Sequence, residues 1–183
     1  GKIGYFPEFS PNDDAVVLTL TVPEQTDSAI DVRAGDIAVV DVDLATGTFG
    51  APRTLVPDTG EFHFYPTWSP NGDYIAFASA PRGTGTDGNP RKSYDQQQAR
   101  LRLVRVEDGA VFDLANATHR ESSWSTYPKF APFTSGSGLS FLTFNSKIDY
   151  GLIQNNSAKP DEKKVAQLWM SAVDTTKLPA DPS

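Results

Sequence analysis

The chain has 183 residues, room for one domain or two small ones, and carries 23 acidic against 16 basic side chains for a formal net charge of −7. That balance argues against a phosphate-tracking groove and so against nucleic acid as a partner. The lack of any cysteine removes disulfide frameworks, thiolate metal sites and cysteine nucleophiles. No run approaches the ~20 apolar residues that a membrane helix needs, so membrane insertion is not expected. The opening Gly1-Lys2-Ile3-Gly4 has no initiating Met and does not read as a signal peptide.

In chain order, Tyr5-Phe6-Pro7-Glu8-Phe9-Ser10-Pro11-Asn12-Asp13-Asp14 leads into residues 15–22. These alternate, with Val16, Leu18, Leu20 and Val22 on one face, and predict a strand. Residues 23–34 form an insertion. Ile37 to Asp43 is a second β-rich run, Ala45-Thr46-Gly47 a turn, and residues 49–56 a further strand. The pattern then restarts. Phe64-Tyr65-Pro66-Thr67-Trp68-Ser69-Pro70-Asn71-Gly72-Asp73 precedes a strand over 74–79, an insertion over 80–99, a strand over 101–107, a turn at Asp108-Gly109 and a short run over 110–114. A third start, Thr126-Tyr127-Pro128-Lys129-Phe130-Ala131-Pro132, leads to strands over 139–145 and 168–174 around an insertion at 147–165. Residues 178–183 are too short and too rich in Pro and Asp for a fourth strand.

The shared signature is aromatic, Pro, any residue, aromatic, small, Pro, repeating at about 60 residues. Each unit is four short strands in a meander, and a repeating four-stranded antiparallel sheet is a propeller blade. One such sheet cannot bury both faces alone, so blades stack. The expected fold is all-β: one partial β-propeller over 1–183, in units of roughly 1–60, 61–123 and 124–183, the third without its outer strand. Phe9, Trp68 and Phe130 are expected to fill the seams between neighbouring blades.

The segment Tyr65-Pro66-Thr67-Trp68-Ser69-Pro70-Asn71-Gly72-Asp73-Tyr74-Ile75-Ala76-Phe77-Ala78-Ser79 resembles the WD-like repeat of TolB-type β-propellers, which runs Pro, any residue, Trp, Ser, Pro, Asp, Gly and then an apolar strand. The first unit departs from it with Phe9 for Trp and Asp13 for Gly. The third has Phe130-Ala131 for Trp-Ser and a longer turn. The resemblance implies a periplasmic, secreted or envelope-associated bacterial protein and a non-enzymatic binding or scaffold role. The α/β domain that accompanies the TolB propeller has no counterpart in this sequence, so the role rests on fold-level analogy.

Strand direction puts all three insertions on one end of the stacked sheets, together with the links between blades. Long insertions on a regular scaffold are where binding residues concentrate. The links hold the only two histidines, and Phe62, His63, Tyr65, His119, Arg120 and Trp124 are the candidate binding residues, suited to a protein hot spot or a sugar-stacking shelf. For the histidines, loop hydrogen bonding is weighed above a shared metal or acid–base role. Gly83-Thr84-Gly85 lacks the Gly-Lys-Ser/Thr ending of a phosphate loop, and Asp87-Gly88-Asn89 lacks the ligand spacing of an EF-hand. Asn116-Ala117-Thr118 and Asn155-Asn156-Ser157 are taken as chance sequons. No Gly-x-Ser-x-Gly motif or convergent ligand set is present, so no catalytic residue, metal or cofactor is assigned. The expected function is a non-enzymatic protein-binding or scaffold module, with a protein partner and self-association through the terminal blades. The alternative is part of a carbohydrate- or peptide-processing enzyme whose catalytic residues lie partly outside this chain.

Overall fold

A serine-headed turn shapes each repeat. The Ser10 and Ser69 amides donate to the Ala15 and Tyr74 carbonyls, both at 2.8 Å. The Ser10 hydroxyl accepts from the amide of Ala15 at 3.1 Å, and that of Ser69 from the amide of Tyr74 at 3.0 Å. The fourth turn position needs a left-handed backbone: Gly72 has φ +77° and Asp13, its counterpart, φ +59°. Glycine adopts that region without penalty and aspartate does not. Asp13→Gly is therefore expected to raise stability by about 0.5–1 kcal/mol, seen as a higher urea midpoint. In the third repeat Ser135, not Ala131, heads the turn, accepting from the Leu139 amide at 3.1 Å. The extra residues are absorbed in a register shift between Phe130 and Thr134.

The computed structural model describes residues 1–28, 31–85, 88–94, 96–118, 124–148 and 165–183. In the first unit β1 (Ile3–Phe9) pairs with β2 (Ala15–Thr21). A 3-10 turn (Pro23–Gln25) and a small hairpin, β3 (Thr26–Ser28) with β4 (Asp31–Val32), follow before β5 (Asp36–Asp43) returns to β2. The outer strand is broken at residues 50–52 into β6 (Thr48–Phe49) and β7 (Arg53–Val56), both on β5. The second unit is the antiparallel meander β8 (Glu61–Trp68), β9 (Tyr74–Pro81), β10 (Arg100–Arg105) and β11 (Val111–Asp113), with one helical turn, α1 (Ala115–Thr118), after it. The third unit is β12 (Thr126–Thr134), β13 (Ser140–Ser146) and β14 (Gln167–Val173), with no fourth strand among the described residues. Its C-terminal tail instead caps α1: Asp181 accepts from the Asn116 amide at 2.7 Å and the Ser183 hydroxyl from the Ala117 amide at 3.1 Å. The chain is thus all-β, three propeller blades side by side, with β1 and β12 both packed on β8.

Two apolar seams hold the blades together. Trp68, 6 % exposed, packs with Val17, Ile37 and Val39 of the first blade. Phe130, also 6 % exposed, packs with Ala76, Ala78, Leu101 and Leu103 of the second. Phe9 departs from the expectation and is 51 % exposed. Register explains it: Phe9 lies opposite Val16, and Val16 opposite Val40, on the face of the first blade turned away from the second. The same register keeps Val16, Leu18 and Leu20 of β2 on one face, as expected, with Val16 buried and Leu18 and Leu20 half-buried, whereas the seam-facing side holds Val17, Thr19 and Thr21, all buried.

Gly35, just after the first insertion, marks a close approach between the first and second blades. A Cβ there would sit 2.5 Å from Thr19 Cγ2 and 3.0 Å from the His63 carbonyl oxygen. Gly35→Ala is expected to cost about 1–3 kcal/mol through this overpacking, measured as a lowered thermal midpoint.

Candidate functional site

The aromatic-Pro pair recurs at the same point of each inner strand and has the same geometry. Proline offers no N–H, so it suits a strand position that leaves the ladder. Register shifts fall there in all three: between Tyr5 and Glu8, Phe64 and Thr67, and Thr126 and Lys129. The preceding aromatics, Phe6, Tyr65 and Tyr127, have φ of 55°, 53° and 52°. Bulky residues avoid that region at a cost of about 1–3 kcal/mol each, so neighbouring structure must hold them. It does so by stacking them on one another. Phe6 meets Tyr65 edge-on with ring centroids 4.4 Å apart, and Tyr65 stacks on Tyr127 at 3.9 Å. The Tyr65 hydroxyl donates to that of Tyr127 at 2.9 Å and also bonds the Ser93 side chain. Burial, followed by the Tyr127 bond, pushes the Tyr65 phenol well above its ordinary value. It stays a neutral donor across the physiological range.

Ser93 belongs to the second insertion, and through it the aromatic row meets a platform made from two loops. Ser93 donates its amide to the Val32 carbonyl at 2.9 Å, and its hydroxyl accepts from the Val32 amide at 3.1 Å. Asp31, buried, accepts from Lys92 Nζ at 2.9 Å and from the Tyr94 amide at 2.8 Å. An isolated antiparallel bridge also joins Thr84 to Pro90 in this insertion. The platform is joined to the third blade as well, because Trp124 donates its amide to the Gln97 carbonyl at 3.2 Å. Tyr94 and Tyr127 are exposed on it, and Trp124 is half-exposed with Lys147 Nζ 5.4 Å above its ring. Aromatic surface fixed by a polar underside is what a partner-binding hot spot needs, because little side-chain freedom is lost on docking.

The predicted site residues divide. Trp124 lies on the platform. Tyr65 lies beneath it, buried, and supports Tyr127. Phe62 and His63 do not reach the surface expected of them. Phe62 is fully buried, stacked on Phe64 at 5.0 Å, because the middle blade is covered on both faces. His63 is buried between β9 of its own blade and the link that follows β7, with its ring edge-on to Phe77, Nδ1 accepting from the Ser79 hydroxyl at 2.8 Å and Nε2 donating to the Pro57 carbonyl at 3.3 Å. His119 and Arg120 fall outside the described residues, as do Asp87, the second sequon and most of the third insertion. Asp31, Lys92, Ser93, Tyr94 and Tyr127 were not singled out by the sequence. For Tyr127 the signal was present, since it aligns with Phe6 and Tyr65 before the repeated proline. No group of three or more His, Cys, Asp or Glu side chains able to hold a metal occurs among the described residues.

Burial holds the His63 imidazole below its ordinary value, with the Pro57 carbonyl opposing more weakly. The unfolded chain takes up this proton near pH 6.5 and the folded chain only at lower pH. The stability contributed by neutral His63 is therefore complete above that pH and is lost as pH falls towards the folded value, by at most about 1.4 kcal/mol per pH unit. His63→Gln is expected to flatten the stability profile on the acid side of about pH 6.5, checked by denaturant titration at a series of falling pH values.

Fold and site together define a set of propeller blades with a two-loop aromatic platform at one end. No protein-family model matches the sequence, and no curated protein does. Among solved structures, oligogalacturonate lyase of Vibrio parahaemolyticus is similar at TM-score 0.53 and 14 % identity, covering 100 % of this chain and 39 % of the lyase. A conserved lipoprotein of Clostridium novyi is similar at TM-score 0.51 and 12 % identity over 93 % of this chain and 86 % of its own. These likenesses agree with the propeller architecture and extend no further than the fold. This chain spans about two fifths of the length of the lyase. TolB of Acinetobacter baumannii aligns at TM-score 0.31 and 11 % identity, over 97 % of this chain and 42 % of its own, too loosely to bear on the repeat type. Among the described residues no helix is long and apolar enough to cross a membrane.

Proposed function

We propose that the chain is a non-enzymatic protein-binding module of TolB-like repeat type, working in the bacterial envelope, and that its partner docks on the platform formed by the first two insertions. The observation that carries this reading is Asp31: a buried carboxylate that binds Lys92 and the Tyr94 amide fixes two loops into one surface and holds Tyr94 outward. Such pre-ordering lowers the entropic cost of association. The repeat motif supports the envelope assignment.

The enzyme reading draws support from the exposed Tyr127 ring, a suitable shelf for a sugar. Against it, the described histidine is inside, with both ring nitrogens engaged. The test is affinity capture from envelope extracts with the wild-type chain and a Tyr94→Ala/Tyr127→Ala double variant. A partner held by the first and lost by the second is expected. Equal capture by both, or turnover of oligosaccharides or peptides by the chain alone, would overturn the reading.

A further inference from the structure

Of the asparagines in this sequence, only Asn71 is followed by glycine. Such a pair can modify itself. The amide nitrogen of the following residue, once deprotonated, attacks the asparagine Cγ, and a glycine has no side chain to obstruct the approach. The new Cγ–N bond forms, the Cγ–Nδ2 bond breaks, and ammonia leaves with a proton taken from water. Water then opens the cyclic imide at either carbonyl and gives aspartate or isoaspartate. In sum one water is consumed and one ammonia released, so water is the only co-reactant.

The folded turn between β8 and β9 engages every group in that reaction. The Gly72 N–H, whose nitrogen is the nucleophile, donates to the Ser69 carbonyl at 3.0 Å. Asn71 Oδ1 accepts from the Ser69 hydroxyl at 2.7 Å and from the Asp73 amide at 3.3 Å, and Nδ2 donates to the Asp73 carboxylate at 2.6 Å. Attack requires the nitrogen to give up the proton it shares with Ser69 and the Asn71 side chain to leave its partners. Burial adds no protection, because Asn71 and Asp73 are exposed and water reaches the turn. The first blade repeats the turn bond, from the Asp13 amide to the Ser10 carbonyl at 3.0 Å. There Asn12 is followed by aspartate, whose side chain shields the nitrogen.

We propose that Asn71-Gly72 is a latent deamidation site, protected while this turn is closed and converted when it opens, and that the product closes the turn less well. Isoaspartate adds a carbon to the main chain inside the ring closed by the Ser69–Gly72 bond. Aspartate replaces the Nδ2 donor with a second carboxylate oxygen against Asp73, and like charges at that range repel. Trp68 adjoins the turn and lies opposite Ile75, so a weakened turn loosens the seam between the first and second blades. The site lies at the other end of the blades from the insertion platform and does not depend on the function proposed for it.

The test holds the wild-type chain at mildly alkaline pH, folded and in guanidinium chloride, and then digests it with trypsin. Arg53 and Arg82 bracket Asn71 as the only asparagine between them, so mass spectrometry of that peptide reads the exchange of NH2 for OH at one site. Conversion is expected to be tenfold or more faster in the unfolded chain, because reaction of the folded chain tracks the population of the open turn. Ser69→Ala, which removes a donor to Oδ1, is expected to raise the folded rate severalfold and leave the unfolded rate unchanged. Wild type aged in denaturant and refolded is expected to show a lowered urea midpoint, whereas Asn71→Ala treated in the same way keeps its own. Equal rates of conversion in folded and unfolded wild type would overturn the proposal. So would an equal fall in midpoint for wild type and Asn71→Ala.

Discussion

Trp68→Ala is expected to lower the unfolding free energy by about 3–5 kcal/mol, a large share of the ~5–15 kcal/mol that holds a typical domain together. The indole is the largest side chain of the seam between first and second blades, and its removal leaves a space bounded by three separate strands. The hollow is walled by Val17, Ile37 and Val39 on one side and Ile75 and Phe77 on the other, within strands whose ladders prevent collapse. A hydrogen bond goes too, since Nε1 donates to the Glu8 carbonyl at 3.1 Å. Urea denaturation of the variant reads the effect directly. Phe9→Ala supplies the internal control. It removes the same repeat position where the described residues form no seam, and its cost is expected to stay below about 1 kcal/mol.

The second large effect is expected from Asp31→Ala. The substitution strips Lys92 of its ion-pair partner and the Tyr94 amide of its acceptor. Lys92 is partly exposed and can turn to water, which limits the loss to about 1–3 kcal/mol. The consequence is local. Hydrogen exchange at the Val32, Ser93 and Tyr94 amides is expected to quicken by tenfold or more while the ladders of β8 and β9 keep their protection. If the partner docks as proposed, its affinity falls in parallel. Equal protection of the loops in variant and wild type would show that Asp31 does not organise them.

The blades were legible because their evidence is local. Strand alternation, a Pro-Asn-Gly turn and a thrice-repeated aromatic-Pro pair each lie within about ten residues of chain. The seam contacts of Trp68 and Phe130 follow from that repetition. Phe9 broke the rule because its burial depends on a neighbour, which a strand's own sequence does not encode. His63 was misplaced for a similar reason. Its position beside Phe62 and Phe64 looks like a surface link, yet β8 is the inner strand of the middle blade and is covered from both sides. The platform was the least legible part. Asp31 and Lys92 are 61 positions apart in two insertions of unremarkable composition, and only the folded scaffold brings them together. The left-handed backbone of three pre-proline aromatics was equally hidden, because a residue before proline ordinarily extends.

Glu8 has one more consequence. Its carboxylate accepts from the Thr67 hydroxyl at 3.1 Å and pairs with Lys129 Nζ at 2.7 Å, so one side chain touches all three inner strands. The sheets are gathered at that point like the ribs of a hand fan at its rivet. A pin at the hub lets the broad outer margins diverge while the angle between ribs stays fixed. Sequence changes at the periphery, including the broken outer strand of the first blade, can then accumulate without altering the curvature of the whole.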